Sequence, residues 1–83
     1  MATQQVNIDI PETVLGALHT DTELFSREIR LLAAIKLFEL RRLSSARAAE
    51  LAGVSRIEFL LALGQYKVFP FQAELEELER RHD

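Results

Sequence analysis

Along the chain the spacing of hydrophobic and polar positions changes period more than once. In "VNIDIP", Val6, Ile8 and Ile10 alternate with Asn7 and Asp9, the two-residue period of a half-buried strand, and Pro11 stops it. No second strand pattern of comparable quality follows. The economical expectation is that Val6, Ile8 and Ile10 pair with the same segment of another copy, closing an edge that would otherwise invite aggregation; packing of the strand within its own chain is the alternative. From Pro11 onward the period lengthens. Pro11 stands at a helix start with Glu12 in the first turn, and Val14, Leu15 and Leu18 share a face. Thr20 lies three residues before Glu23, the capping-box spacing, which predicts a long helix from about Asp21 to about Arg42. Its apolar residues, including Leu24, Phe25, Ile29, Ile35 and Phe38, occupy more than one stripe, so the helix must be covered from two sides, one of them open to another subunit.

Ser44 or Ser45 caps the next predicted helix, about Ser45 to Ala52, and Gly53 supplies the backbone freedom for its end. Ser55 caps a further helix to about Tyr66. Gly64 inside it costs about 1 kcal/mol relative to alanine and gives it a place to fray or end. Beyond Pro70 a helical pattern resumes with Phe71, Leu75 and Leu78 on one side. The predicted fold is all-α, mainly helical, with one short N-terminal β-strand. It is a helix-turn-helix bundle, dimeric through strand exchange or intersubunit pairing. Residues 1–71 hold the strand and bundle, with the helix-turn-helix over 44–66, and residues 72–83 form a C-terminal amphipathic helix or tail.

The stretch "SSARAAELAGVSRIEF" has the residues a helix-turn-helix needs. A small residue, Ala49, stands where the second helix crosses, Gly53 makes the turn, and Val54 and Phe59 anchor inward. That assignment leaves Ser55, Arg56 and Ile57 at the exposed start of the second helix, where base edges or phosphates would be met. Arg41, Arg42, Arg47 and Lys67 are then placed to approach the DNA backbone. The same pattern also describes a well-capped helical hairpin with no ligand. Leu60 and Leu61 weigh on that side, because they extend the exposed face of the second helix with apolar surface that reads no hydrogen-bonding edge. A ribbon-helix-helix is the other DNA-binding arrangement, with Gln5, Asn7 and Asp9 facing outward from the strand, but this segment contains no Lys or Arg.

Charge sharpens the contrast between segments. The net formal charge is -3, yet residues 1–26 carry four acids and no base, residues 27–67 carry eight bases against four acids, and residues 68–83 carry two bases against five acids. The basic middle coincides with the helix-turn-helix pattern. The acidic C-terminal stretch suits a segment that lays Phe71, Leu75 and Leu78 into a groove on another protein. In that setting Arg80 and Arg81 could insert guanidinium groups among the carboxylates of a nuclease active site.

At 83 residues the chain is one domain, and a chain this small buries roughly 60–65% of its unfolded surface, so its core is marginal and a partner or second copy is expected. There is no cysteine, which excludes disulfides and thiolate chemistry and is compatible with a reducing cytoplasm. No signal peptide or membrane span is expected. His19 and His82 sit in no ligand-spaced cluster, the serines are explained as caps, and no glycine-rich phosphate loop exists. No catalytic residue, metal site or cofactor is therefore assigned, and an enzyme is not expected.

The segment "AAIKLFELRRLSSARAAELAGVSRIEFLLALGQYKVFPF" resembles uncharacterised protein family 0175, a family of small prokaryotic antitoxin-like helix-turn-helix proteins. The likeness runs from the strand and Pro11 through Phe71. Its most specific parts are "KLFEL", the "SSARAAELAGVSRIEFL" motif and "PF". The resemblance implies a DNA-binding member of a toxin–antitoxin pair with a PIN-type ribonuclease as the toxin, and it gives the motif roles to Ala49, Gly53, Ser55 and Arg56. Lys67 departs from the glycine expected between Tyr66 and Val68, and Leu61 from a polar residue. A protein-binding antitoxin or adaptor that never meets DNA is the alternative.

Overall fold

The computed structural model describes residues 2–68. Four helices follow in order: α1 (Glu12–Ala17), α2 (Thr22–Glu39), α3 (Ser45–Ala52) and α4 (Arg56–Gln65). The expectations for residues 72–83, with Phe71, Leu75, Leu78, Arg80 and Arg81, lie outside the described residues.

The helix starts are set by short polar side chains. At α2 the cap is Asp21 and not Thr20: the Asp21 carboxylate accepts from the Leu24 backbone N–H at 2.9 Å, so the cap falls one residue after the predicted Thr20, with Leu24 where a capping box would need Glu or Gln. A carboxylate is also the better partner for the positive end of the helix dipole. Ser44, not Ser45, caps α3, its hydroxyl accepting from the Arg47 N–H at 3.2 Å. Ser55 caps α4 in a complete capping box with Glu58.

The helix ends share one solution. In α1, α2, α3 and α4 the chain closes with two reversed backbone bonds, the pattern of a Schellman motif. The outer bonds run from Thr20 to Leu15, Arg42 to Leu37, Val54 to Ala49 and Val68 to Leu63. The inner ones run from His19 to Gly16, Arg41 to Phe38, Gly53 to Glu50 and Lys67 to Gly64. Each motif puts one residue in the left-handed region: His19 (φ 52), Arg41 (φ 62), Gly53 (φ 76) and Lys67 (φ 57). Only one of these is glycine. At His19, Arg41 and Lys67 a Cβ meets the following carbonyl, at a cost of about 1–2 kcal/mol each. The long helix consequently stops at Glu39, three residues before the expected Arg42. Gly64 does not end α4, which continues one residue past it.

The core is built from the second half of α2 and the hairpin after it. Ala34, Ile35 and Phe38 from α2 meet Ala48 and Ala49 from α3 and Phe59, Leu60 and Leu63 from α4. The Phe38 and Phe59 rings pack edge to face, with centroids 5.7 Å apart and planes at 85°. The alanines let α3 approach α2 closely. Leu60 is 2% exposed and so belongs to this core, which corrects the expectation that it extends the outer face of α4; Leu61 is exposed, as expected.

The first half of α2 has a different environment. Phe25 and Ile29 are half-buried beneath residues 6–10, and between them lies an open groove of about 650 Å³, with Leu15 at its side. α1 buries none of its residues. Among the described residues there is no strand: residues 2–10 have no regular secondary structure, a correction to the predicted N-terminal strand. The physical reason lies in the ladder. A lone extended segment has donors and acceptors on both edges, and no other part of the described chain offers a matching edge.

Candidate nucleic-acid interface

The hairpin α3–α4 is where most of the sequence-derived site residues fall. Ala49 is buried at the crossing, Gly53 adopts the left-handed conformation, and Val54 and Phe59 point into the core region. Gly53 is held in place from α2 as well. The Arg30 Nε donates to the Leu51 carbonyl at 2.7 Å, and its guanidinium lies 3.4 Å from where a Cβ on Gly53 would stand. A cation therefore closes the carbonyl end of α3, where the helix dipole is negative.

At the start of α4, Ser55 is exposed while Arg56 and Ile57 are half-buried. Arg56 shares a face with Phe59, Leu60 and Leu63, because positions three, four and seven residues apart align on a helix. Its Nε donates to the Ser45 hydroxyl at 2.8 Å. Ser45 is 2% exposed, so this bond satisfies a buried polar group and ties the first turn of α4 to the first turn of α3. The outer face of α4 carries Glu58, Leu61 and Gln65, all exposed.

Arg41 and Arg42 lie in the connection between α2 and α3, and Arg47 lies in the first turn of α3; all three are exposed. The Arg47 Nη1 donates to both carboxylate oxygens of Glu50 at 2.9 Å, an i,i+3 pair with both side chains more than half exposed. Such a pair opens at little cost. Lys67 is exposed beyond the C-terminus of α4, roughly 15 Å along that helix from Arg56 at 1.5 Å per residue. The fold thus places Arg41, Arg42 and Arg47 around one end of α3 and sets Lys67 at the far end of α4.

The roles of Arg30 and Ser45 do not appear in the sequence reading. For Arg30 the available signal is an arginine with no acid three or four residues away on its own helix. For Arg56 the signal is stronger, since it is in phase with Phe59 and Leu63. Among the described residues no group of three His, Cys, Asp or Glu is placed to hold a metal ion, and no helix is long and apolar enough to cross a membrane.

The sequence model of the uncharacterised protein family UPF0175 matches residues 1–82. The chain belongs to this family. No curated protein and no solved structure matches it. In this UPF0175 chain the match runs through the N-terminal segment, the hairpin and the C-terminal stretch alike.

Proposed function

We propose that this UPF0175 protein is a DNA-binding regulator of the antitoxin type, meeting its operator through the α3–α4 hairpin and a nuclease toxin of the PIN type through residues 72–83. The observation that favours it is the hairpin itself. A Schellman turn at Gly53, braced by Arg30, holds α4 against α2 with Ser55 uncovered at its first turn, and Arg42 and Arg47 stand exposed on the adjoining elements. Phosphate contact accordingly falls to Arg41, Arg42, Arg47 and Lys67, with Ser55 and Ile57 nearest the bases. Arg56 acts from inside the hairpin as the bond to Ser45 that sets the angle of α4.

The test is titration of a labelled duplex taken from the region preceding the gene, over a range of salt. Affinity falls as salt rises, and Arg42→Ala and Arg47→Ala each lower the salt slope by about one, the signature of a lost phosphate contact. Binding that ignores salt and both substitutions refutes the DNA reading.

One observation favours a second reading, a protein-binding antitoxin without DNA contact: the outer face of α4 presents Leu61, 54% exposed, beside the acidic Glu58. Apolar and acidic groups there suit a protein surface better than phosphates. Co-purification of a nuclease with a chain that does not retain DNA selects this reading.

A further inference from the structure

We propose that residues 6–10 pair with the same segment of a second copy as an antiparallel ribbon, in one register with Ile8 facing itself across the twofold axis, beside the α2 groove. Three observations meet here. Among the described residues, residues 2–10 exchange no backbone hydrogen bond. Val6 is 77% and Ile8 is 62% exposed, an apolar row on an uncovered segment. The groove at Phe25 and Ile29 stays open beside them, and the same side of α2 carries the exposed Leu32 one turn farther on.

The occupant follows from self-complementarity. Opposed residues of an antiparallel pair project to the same face, so only registers that oppose residues of like parity keep apolar with apolar. Centring on Ile8 sets Val6 against the second copy's Ile10, Ile8 against Ile8, and Asn7 against Asp9, where an amide donates to a carboxylate. A shift centring the pair on Asp9 would oppose two carboxylates directly. The opposite shift, centred on Asn7, would set Ile10 against Gln4. One register therefore satisfies every pair, and a heterologous strand has no such constraint. This inference does not rest on the DNA reading, since a dimer without DNA affinity leaves it intact.

The 83-residue chain contains no cysteine, so a single introduced thiol reports the register. Opposed Cβ atoms sit about 4.5–5.5 Å apart, and a small shift brings them within disulfide reach. Under mild oxidation Ile8→Cys converts to a covalent dimer. In Asn7→Cys the two thiols are diagonal, roughly 7–8 Å apart or more, and that chain forms no covalent dimer under the same conditions. By sedimentation the parent chain has twice the monomer mass, and Ile8→Asp, which opposes two carboxylates at an exposed site away from the core, has the monomer mass with unchanged helical circular dichroism. A parent chain of monomer mass, a dimer that survives Ile8→Asp, or crosslinking of Asn7→Cys in preference to Ile8→Cys overturns the proposal. A monomer that dimerises only after removal of residues 69–83 would assign the groove to the chain's own tail instead, and overturns it equally.

Discussion

Replacing Arg56 separates a bridging arginine from a DNA-reading one. In the native fold its Nε bonds the Ser45 hydroxyl at 2.8 Å, and that hydroxyl sits on a residue only 2% exposed. A hydrogen bond with a charged donor contributes about 1.5–3 kcal/mol, and losing the donor leaves the buried oxygen without that partner. Truncation to alanine also removes an aliphatic stem that is half-buried, worth about 0.8 kcal/mol for each methylene fully covered. Arg56→Ala should therefore cost about 2–3 kcal/mol. In a domain of this size each 1 kcal/mol lowers the melting temperature by about 4–8 °C, so the effect is large in either thermal or urea unfolding. The decisive assay is a double-mutant cycle with Ser45→Ala, in which a coupling of about 1 kcal/mol or more reports the bond itself. In DNA titrations the same substitution should leave the salt slope unchanged. An unfolding midpoint equal to the parent's, no coupling to Ser45, and a salt slope reduced by one would refute the reasoning and return Arg56 to the phosphate backbone.

Other substitutions probe the same architecture. Lys67→Gly removes a left-handed strain of about 1–2 kcal/mol at the cost of about 0.4–1 kcal/mol of added unfolded-state freedom, so urea unfolding should show no loss and a net gain of up to about 1.5 kcal/mol while DNA affinity falls through the lost charge. Gly53→Ala meets the opposite sign: at φ 76 it should destabilise by about 1–2 kcal/mol, and a neutral result in the same assay would mean that the turn can reshape. Leu60→Ala should cost about 2–5 kcal/mol, whereas its exposed neighbour Leu61→Ala should stay within about 0.5 kcal/mol, and equal effects would contradict the burial pattern of α4.

Much of the hairpin was legible in the residues because capping is local. Gly53 and Ser55 mark the end of α3 and the start of α4 with bonds that span only a few residues, so their neighbours in the chain suffice to place them, whereas the structure chose Ser44 over Ser45 as the cap of α3. Local chemistry misled at Arg41, where the left-handed turn uses a cation in place of glycine and the helix pattern runs on to Arg42; only the closing bond from Arg42 reveals it. Tertiary structure alone decided what long-range partners do. Arg30 reaches Leu51 across 21 positions and Arg56 reaches Ser45 across 11, and neither pairing has a sequence period to announce it. The same distinction separates Leu60 from Leu61: both are apolar, and only the packing of α4 on α2 and α3 buries one and exposes the other. For residues 6–10 the alternation sets which side chains share a face, but a strand needs a second edge to exist, and within one chain's described residues that edge is missing.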